Sequence, residues 1–244
     1  MMLGARTGAW AQPGGGVPTA RDYVQHGLIA MWDGIENAGW GTHSPNSTVW
    51  KDLIHGIELV SQGGNSWGDN YLQANEQWIT RQNTDFDYLK TAFIDAPVIS
   101  GGGYTIEFCG FIDSDSGGNV FGDRYINVLI FVYGTKICGW LGNGNNTESS
   151  LLVNEDGCVS FIVRNTGGGF ENVSYVNGMV SNKYSRTNYF NSKIGKAFGV
   201  GKGEYSSWGF ATGKYRSVRM YSRALTADEI DANYAIDKVR FNLS

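Results

Sequence analysis

Arg216-Ser217-Val218-Arg219-Met220-Tyr221 is followed, after Ser222-Arg223-Ala224-Leu225, by Thr226-Ala227-Asp228-Glu229-Ile230. The first six residues alternate as a strand does when its side chains point to opposite faces in turn. Thr226 is placed to cap a helix. Its hydroxyl accepts from the Glu229 N–H while the Glu229 carboxylate reaches back to the Thr226 N–H. Leu225 and Ile230 stand at the two positions of a hydrophobic staple. The spacing predicts a helix from Ala227 to about Asp237. The predicted order is many strands, then one short helix packed on the edge of a sandwich.

Upstream, Gly27-Leu28-Ile29-Ala30-Met31-Trp32-Asp33 reads as a strand. Tyr104-Thr105-Ile106-Glu107-Phe108-Cys109 alternates, with Tyr104, Ile106 and Phe108 on one face. Tyr125 to Tyr133 is apolar on both faces and predicts a central strand covered on both sides. Val159, Phe161 and Val163 share a face of the next strand. Asn177-Gly178 lies between β-formers and demands a two-residue hairpin, because both turn residues need positive φ. Gly101-Gly102-Gly103 and Gly167-Gly168-Gly169 fall just outside strand runs and read as loops. Neither leads into a helix, so turn chemistry explains them better than an anion cradle. Residues 1–22, punctuated by Pro13, Gly14-Gly15-Gly16 and Pro18, form an extended arm before a domain at 23–244.

A length of 244 residues suits one large all-β domain or two small ones. Gly at 35 and aromatics at 14%, against only 4 Pro, fit many strands joined by tight turns. Charged residues are 17% and the formal net charge is −4, without the basic stripe of a nucleic-acid binder. No run approaches the ~20 apolar residues of a membrane helix, so membrane insertion is not expected. The N-terminal stretch has no apolar segment of about 7–15 residues, so no signal peptide is seen. No phosphate-binding G-x-x-x-x-G-K-S/T run occurs, and no G-x-G-x-x-G opens a helix. Cys109, Cys138 and Cys158 are odd in number with no C-x-x-C spacing, which argues against zinc. Cys109 and Cys158 sit in strand-like runs, where cysteine is usually a small buried hydrophobe. Three free thiols are expected.

Val218-Arg219-Met220-Tyr221-Ser222-Arg223-Ala224-Leu225-Thr226-Ala227-Asp228-Glu229-Ile230 is similar to the closing motif of laminin-G-like, concanavalin A-like (lectin-glucanase) domains. Gly27 to Trp32 resembles the opening strand of that family, and Trp50-Lys51-Asp52-Leu53-Ile54-His55-Gly56 the segment after it. Tyr104-Thr105-Ile106-Glu107-Phe108 resembles a further strand, with Cys109 where the family often has Trp, and Tyr175-Val176-Asn177-Gly178 matches its hairpin. Gly4-Ala5-Arg6-Thr7-Gly8-Ala9-Trp10 also looks like the start of short proteins of this kind encoded in gut-bacterial phages or prophages. The resemblance implies an all-β, two-sheet antiparallel jelly-roll sandwich with loops at the rim available for binding. It also implies a virion or extracellular location, since virion proteins leave a cell by lysis. Fold alone gives no activity, because this superfold hosts lectins, enzymes and structural modules.

A retaining glycosidase presents two carboxylates about 5–5.5 Å apart, commonly from one strand. The nearest approach is Glu229-Ile230-Asp231, which falls in the helix, and Glu107 is followed by Cys109. His26, His43 and His55 have no nucleophile motif nearby and read as solvated loop residues. No catalytic residue is expected. For calcium, Asp113 and Asp115 stand at alternate positions of Asp113-Ser114-Asp115-Ser116-Gly117-Gly118-Asn119, but Gly117 replaces the third ligand and Arg124 the closing Glu. A turn rich in Asp, Ser and Gly explains the segment equally.

Sugar binding asks for an aromatic face plus fixed amide and carboxylate hydrogen bonds. Trp40 beside Gly41 to Asn46, Trp140 with Asn143 and Asn145, and Tyr205 with Trp208 each set an aromatic among Gly, Asn and Ser. The alternative for each Trp is packing over the end of the sandwich. The expectation is a non-catalytic module recognising a cell-surface glycan on a phage or prophage particle, with no cofactor required. Two alternatives stand beside it. One is a structural or decoration protein, anchored through residues 1–22 to another copy or another particle protein; the other is a glycoside hydrolase or lyase.

Overall fold

The computed structural model describes residues 16–61, 63, 66–75, 78–80, 102–113, 118–123, 128–141, 146–186, 199–200 and 211–244. Two eight-stranded antiparallel sheets pack face to face. The first has the order β14 (Met179–Arg186), β13 (Phe170–Val176), β12 (Asp156–Asn165), β7 (Gly103–Ile112), β16 (Gly213–Tyr221), β5 (Leu72–Ala74), β4 (Ser66–Trp67). Its eighth strand, β1 (Leu28–Asp33), also pairs with β16, alongside Ser217 to Tyr221. The second runs β11 (Asn146–Leu152), β10 (Lys136–Leu141), β9 (Val128–Tyr133), β8 (Gly118–Asp123), β15 (Gly199–Val200), β6 (Trp78–Thr80), β3 (Glu58–Ser61), β2 (Val49–Lys51).

Alternation decides the core. Tyr104, Ile106 and Phe108 of β7, Val159, Phe161 and Val163 of β12, and Val218 and Met220 of β16 all face inward. They meet Val120, Ile130, Val132, Ile137 and Leu151 of the second sheet. The intervening residues face outward, under the C-terminal helix α1 (Ala227–Arg240). That helix lies over the outer face of the first sheet rather than at the sandwich edge. Ile230 and Ile236 cluster there with Ile162, Val173, Tyr175 and Tyr221. The hydroxyl-rich and charged outer face of β7, β12 and β16 carries a packed layer, which strand alternation alone reads as a solvent face.

Thr226 caps α1, with Glu229 completing the reciprocal box. Leu225 and Ile230 are both buried as the staple requires. The helix runs three residues beyond the predicted Asp237, because its last turn is held from outside and closed by an asparagine. Arg240 reaches Asp33 at 2.9 Å. Asn242 takes the left-handed φ of 52°. The Leu243 N–H then donates to the Lys238 carbonyl and the Asn242 N–H to that of Val239, a Schellman closure. Thr226→Ala should cost about 1 kcal/mol in urea unfolding, the usual worth of a cap; an unchanged midpoint would show that packing alone holds the helix end.

Asn177 (φ 50°) and Gly178 (φ 79°) form the predicted tight hairpin between β13 and β14, with Val176 opposite Met179. Gly167-Gly168-Gly169 is the expected loop between β12 and β13. Gly103 is not in a loop: it opens β7, where a Cβ would collide with the Val163 carbonyl oxygen. Gly101 lies outside the described residues. β9 has strands on both sides and buries Ile130, Phe131 and Val132, but Tyr133 is 56% exposed. Residues 125–127 of that run lie outside the described set.

Cys109 and Cys158 are not free thiols. They stand directly opposite each other on β7 and β12, with Cα atoms 4.0 Å apart, and are disulfide-bonded. Cross-strand register, invisible to spacing, brings them together. Cys138 is the free cysteine; burial pushes its thiol up to about 12. Of the arm, residues 1–15 lie outside the described set. Thr19 to Asp22 form a turn held by the Asp22 carboxylate, and Ala20 is fully buried. The Pro18 carbonyl accepts from Arg240.

Candidate functional site

Among the described residues, the densest polar constellation lies under α1. Arg219 donates through Nε to Glu107 at 2.7 Å and through both Nη atoms to Asp237 at 2.7 and 2.6 Å. Ser160 donates to the other Glu107 oxygen, and Asn233 bridges Glu107 and the Tyr221 hydroxyl. The Tyr23 hydroxyl donates to Asp237, and its ring stacks 4.1 Å from the Arg219 guanidinium. Burial first, then the Asp237 charge, raises the Tyr23 phenol well above its ordinary value, so it stays a donor. Two carboxylates thus converge on one guanidinium, but Glu107 is 2% exposed and Asp237 fully buried. No substrate reaches them. The network is a clamp that fastens α1 and residues 23–24 to the first sheet.

The Cys109 and Cys158 sulfurs and an Asp237 oxygen lie within 4.8 Å of one another. The sulfurs are bonded to each other and Asp237 is spent on Arg219 and Tyr23, so the trio is not a metal centre. Asp113 is exposed and accepts a hydrogen bond from the Thr212 hydroxyl. Asp115 lies outside the described residues. Of the roughly six to eight oxygens calcium takes, the described residues place one carboxylate at this turn, already engaged by Thr212.

Trp40 sits in a turn, half-buried against the cluster under α1, and the Arg21 guanidinium covers its ring at 4.2 Å. Trp140 is not in a loop. It lies in β10, with its indole on the outer face of the second sheet against Phe131, ring centroids 6.2 Å apart, and Cys138. Asn143, Asn145, Tyr205 and Trp208 lie outside the described residues. His26, His43 and His55 are exposed loop residues. Glu229 is bound by Arg223 through both oxygens, and that pairing holds its carboxyl down to about 2.

Two cavities stand where the sheet edges open. One, of about 270 Å³, lies where β4, the last strand of the first sheet, comes beside β2 and β3 of the second. Asn46, Ser47, Thr48, Ser61, Ser66 and Trp67 line it, with no ionisable side chain among them. The Trp67 indole is fixed: it meets Trp50 edge-on at 5.7 Å and donates Nε1–H to the Ser47 carbonyl at 2.8 Å. Sequence reasoning misses this site, although Gly63-Gly64-Asn65-Ser66-Trp67-Gly68 has the same Gly, Asn, Ser and Trp composition as the flagged segments. The second cavity, of about 530 Å³, lies at the end of the first sheet beside the start of α1, over Leu225, Ala224 and Ala227.

No family model and no curated protein sequence matches this chain. Solved structures do. The Trypanosoma rangeli sialidase aligns at 14% identity and a TM-score of 0.59, over 92% of this chain and 34% of that one. The receptor binding domain of botulinum neurotoxin type G aligns at 11% identity and a TM-score of 0.56, over 86% of this chain and 51% of that one. The likeness is one of fold. At these identities it supports the two-sheet antiparallel β-sandwich and carries no residue roles. This chain spans about a third of the sialidase and half of the toxin domain. Among the described residues, no helix is long and apolar enough to cross a membrane.

Proposed function

We propose that this protein is a non-catalytic module that recognises a neutral cell-surface glycan, carried on a phage or prophage particle. The observation that supports it most is the Trp67 cleft. An indole fixed by Trp50 and Ser47 supplies the flat apolar surface that a pyranose ring packs against. The hydroxyls of Ser47, Thr48, Ser61 and Ser66 and the Asn46 amide line the same space, at the scale of a single sugar ring. No charged side chain is among the described lining residues, which suits an uncharged saccharide better than an acidic one. The botulinum neighbour is a receptor binding domain, which fits a binding role. The sialidase neighbours would fit an enzyme, but the convergent carboxylates here are sealed under α1. The Cys109–Cys158 bond supports an extracellular setting, where disulfides persist.

Binding to an array of neutral and acidic glycans tests the reading. Wild type should be retained on neutral glycans, and Trp67→Ala should lose retention. Asn46 is exposed, so Asn46→Ala should weaken binding severalfold with an unchanged thermal midpoint. Retention on no glycan, or equal retention of Trp67→Ala, would overturn the assignment and return the chain to the structural alternative.

A further inference from the structure

The cavity beside the start of α1 has a different chemistry from the Trp67 cleft. Ala224, Leu225 and Ala227 give it an apolar lining, and no carboxylate is among its described lining residues. Arg164, at its wall, donates Nη2–H to the Leu225 carbonyl at 2.9 Å. Its Nη1 is 3.8 Å from Glu171, beyond hydrogen-bond reach, and Glu171 is itself taken by Lys183 at 2.7 Å. One edge of the guanidinium therefore has no acceptor among the described residues. Tyr175 also lines the cavity, is 3% exposed, and has no hydrogen-bond partner for its hydroxyl among the described residues. The N–H groups of Ala227 and Asp228, in the first turn of α1, have no intrahelical acceptor and stand at the positive end of the helix dipole. Of the two acids in this turn, Glu229 is neutralised through both oxygens by Arg223, and the Asp228 carboxylate is exposed to solvent.

We propose that this cavity is a carboxylate subsite for an acidic sugar. A guanidinium edge, the Tyr175 hydroxyl and helix N–H groups are donors that a carboxylate accepts from, and the apolar lining seats a ring. The choice of a sugar rests on the glycan-binding reading; the choice of a carboxylate does not. Neither Arg164 nor Tyr175 lines the Trp67 cleft, so retention on neutral glycans and binding here fail separately.

Nuclear magnetic resonance titrations of the full chain with sodium glucuronate and with glucose, at constant ionic strength, test it. Glucuronate should shift the amide signals of Gly102, Gly103, Ala227 and Asp228, and glucose should bind at least about tenfold more weakly. Arg164→Met should abolish the shifts. Because Arg164 also holds the Leu225 carbonyl, Tyr175→Phe serves as the second variant. It removes only a hydroxyl without a partner, and should weaken glucuronate binding severalfold with an unchanged thermal midpoint. Equal binding of glucose and glucuronate, no glucuronate binding, or full binding by Tyr175→Phe would overturn the proposal.

Discussion

Arg219→Met should destabilise the protein by about 3–5 kcal/mol, read as a fall in the urea midpoint. Methionine keeps most of the buried volume but removes every donor to Glu107 and Asp237. Both carboxylates would then be buried without a counter-charge, a state that costs more than the intact pair contributes. The triple variant Arg219→Met, Glu107→Gln, Asp237→Asn should therefore recover much of the loss, since no unpaired ion remains. A change below about 0.5 kcal/mol in the single variant, the range of ordinary surface substitutions, would show that water reaches the clamp.

Removing the Cys109–Cys158 bond should be comparably large. It closes a loop with a sequence separation of 49 residues, and the chain-entropy relation puts the stabilisation at about 4 kcal/mol for that length. Cys109→Ala with Cys158→Ala should lower the unfolding free energy accordingly, and reductant should do the same to wild type. Alkylation of the denatured, unreduced chain should label Cys138 alone. Three labelled thiols, or an unfolding free energy unchanged by the double substitution, would refute the pairing. The bond joins two central strands already paired by their ladder, so its effect is mainly on the unfolded chain.

The elements whose signals are local were legible. Thr226 and Glu229 specify the start of α1 because a capping box spans only three residues, and Asn177-Gly178 specifies a hairpin because few residue pairs accept two positive φ angles. Alternation in β7, β12 and β16 correctly divides each strand into a core face and an outer face. The helix end was also written locally, in Asn242, but the tie from Arg240 to Asp33 that steadies it is 207 residues long in sequence.

What covers an outer face is a tertiary matter. Glu107, Ser160, Ser217 and Arg219 have the polarity of a solvent side, and only the docking of α1 turns them into a buried network. The Cys109–Cys158 pair depends on the register of two strands 49 residues apart, which no spacing rule encodes. Trp140 looks like a loop aromatic because Gly and Asn follow it, yet the pairing of β10 with β9 and β11 carries it onto a sheet face. The Trp67 cleft exists because the edge strands of two different sheets come side by side, and the cavity beside α1 because three strand ends and a helix start meet. By itself the sequence determined the all-β class, the capped helix and the hairpin, each from contacts within a few residues. The clamp, the disulfide and both cavities were decided by the tertiary structure, because each needs groups from distant strands placed within a few ångströms of one another.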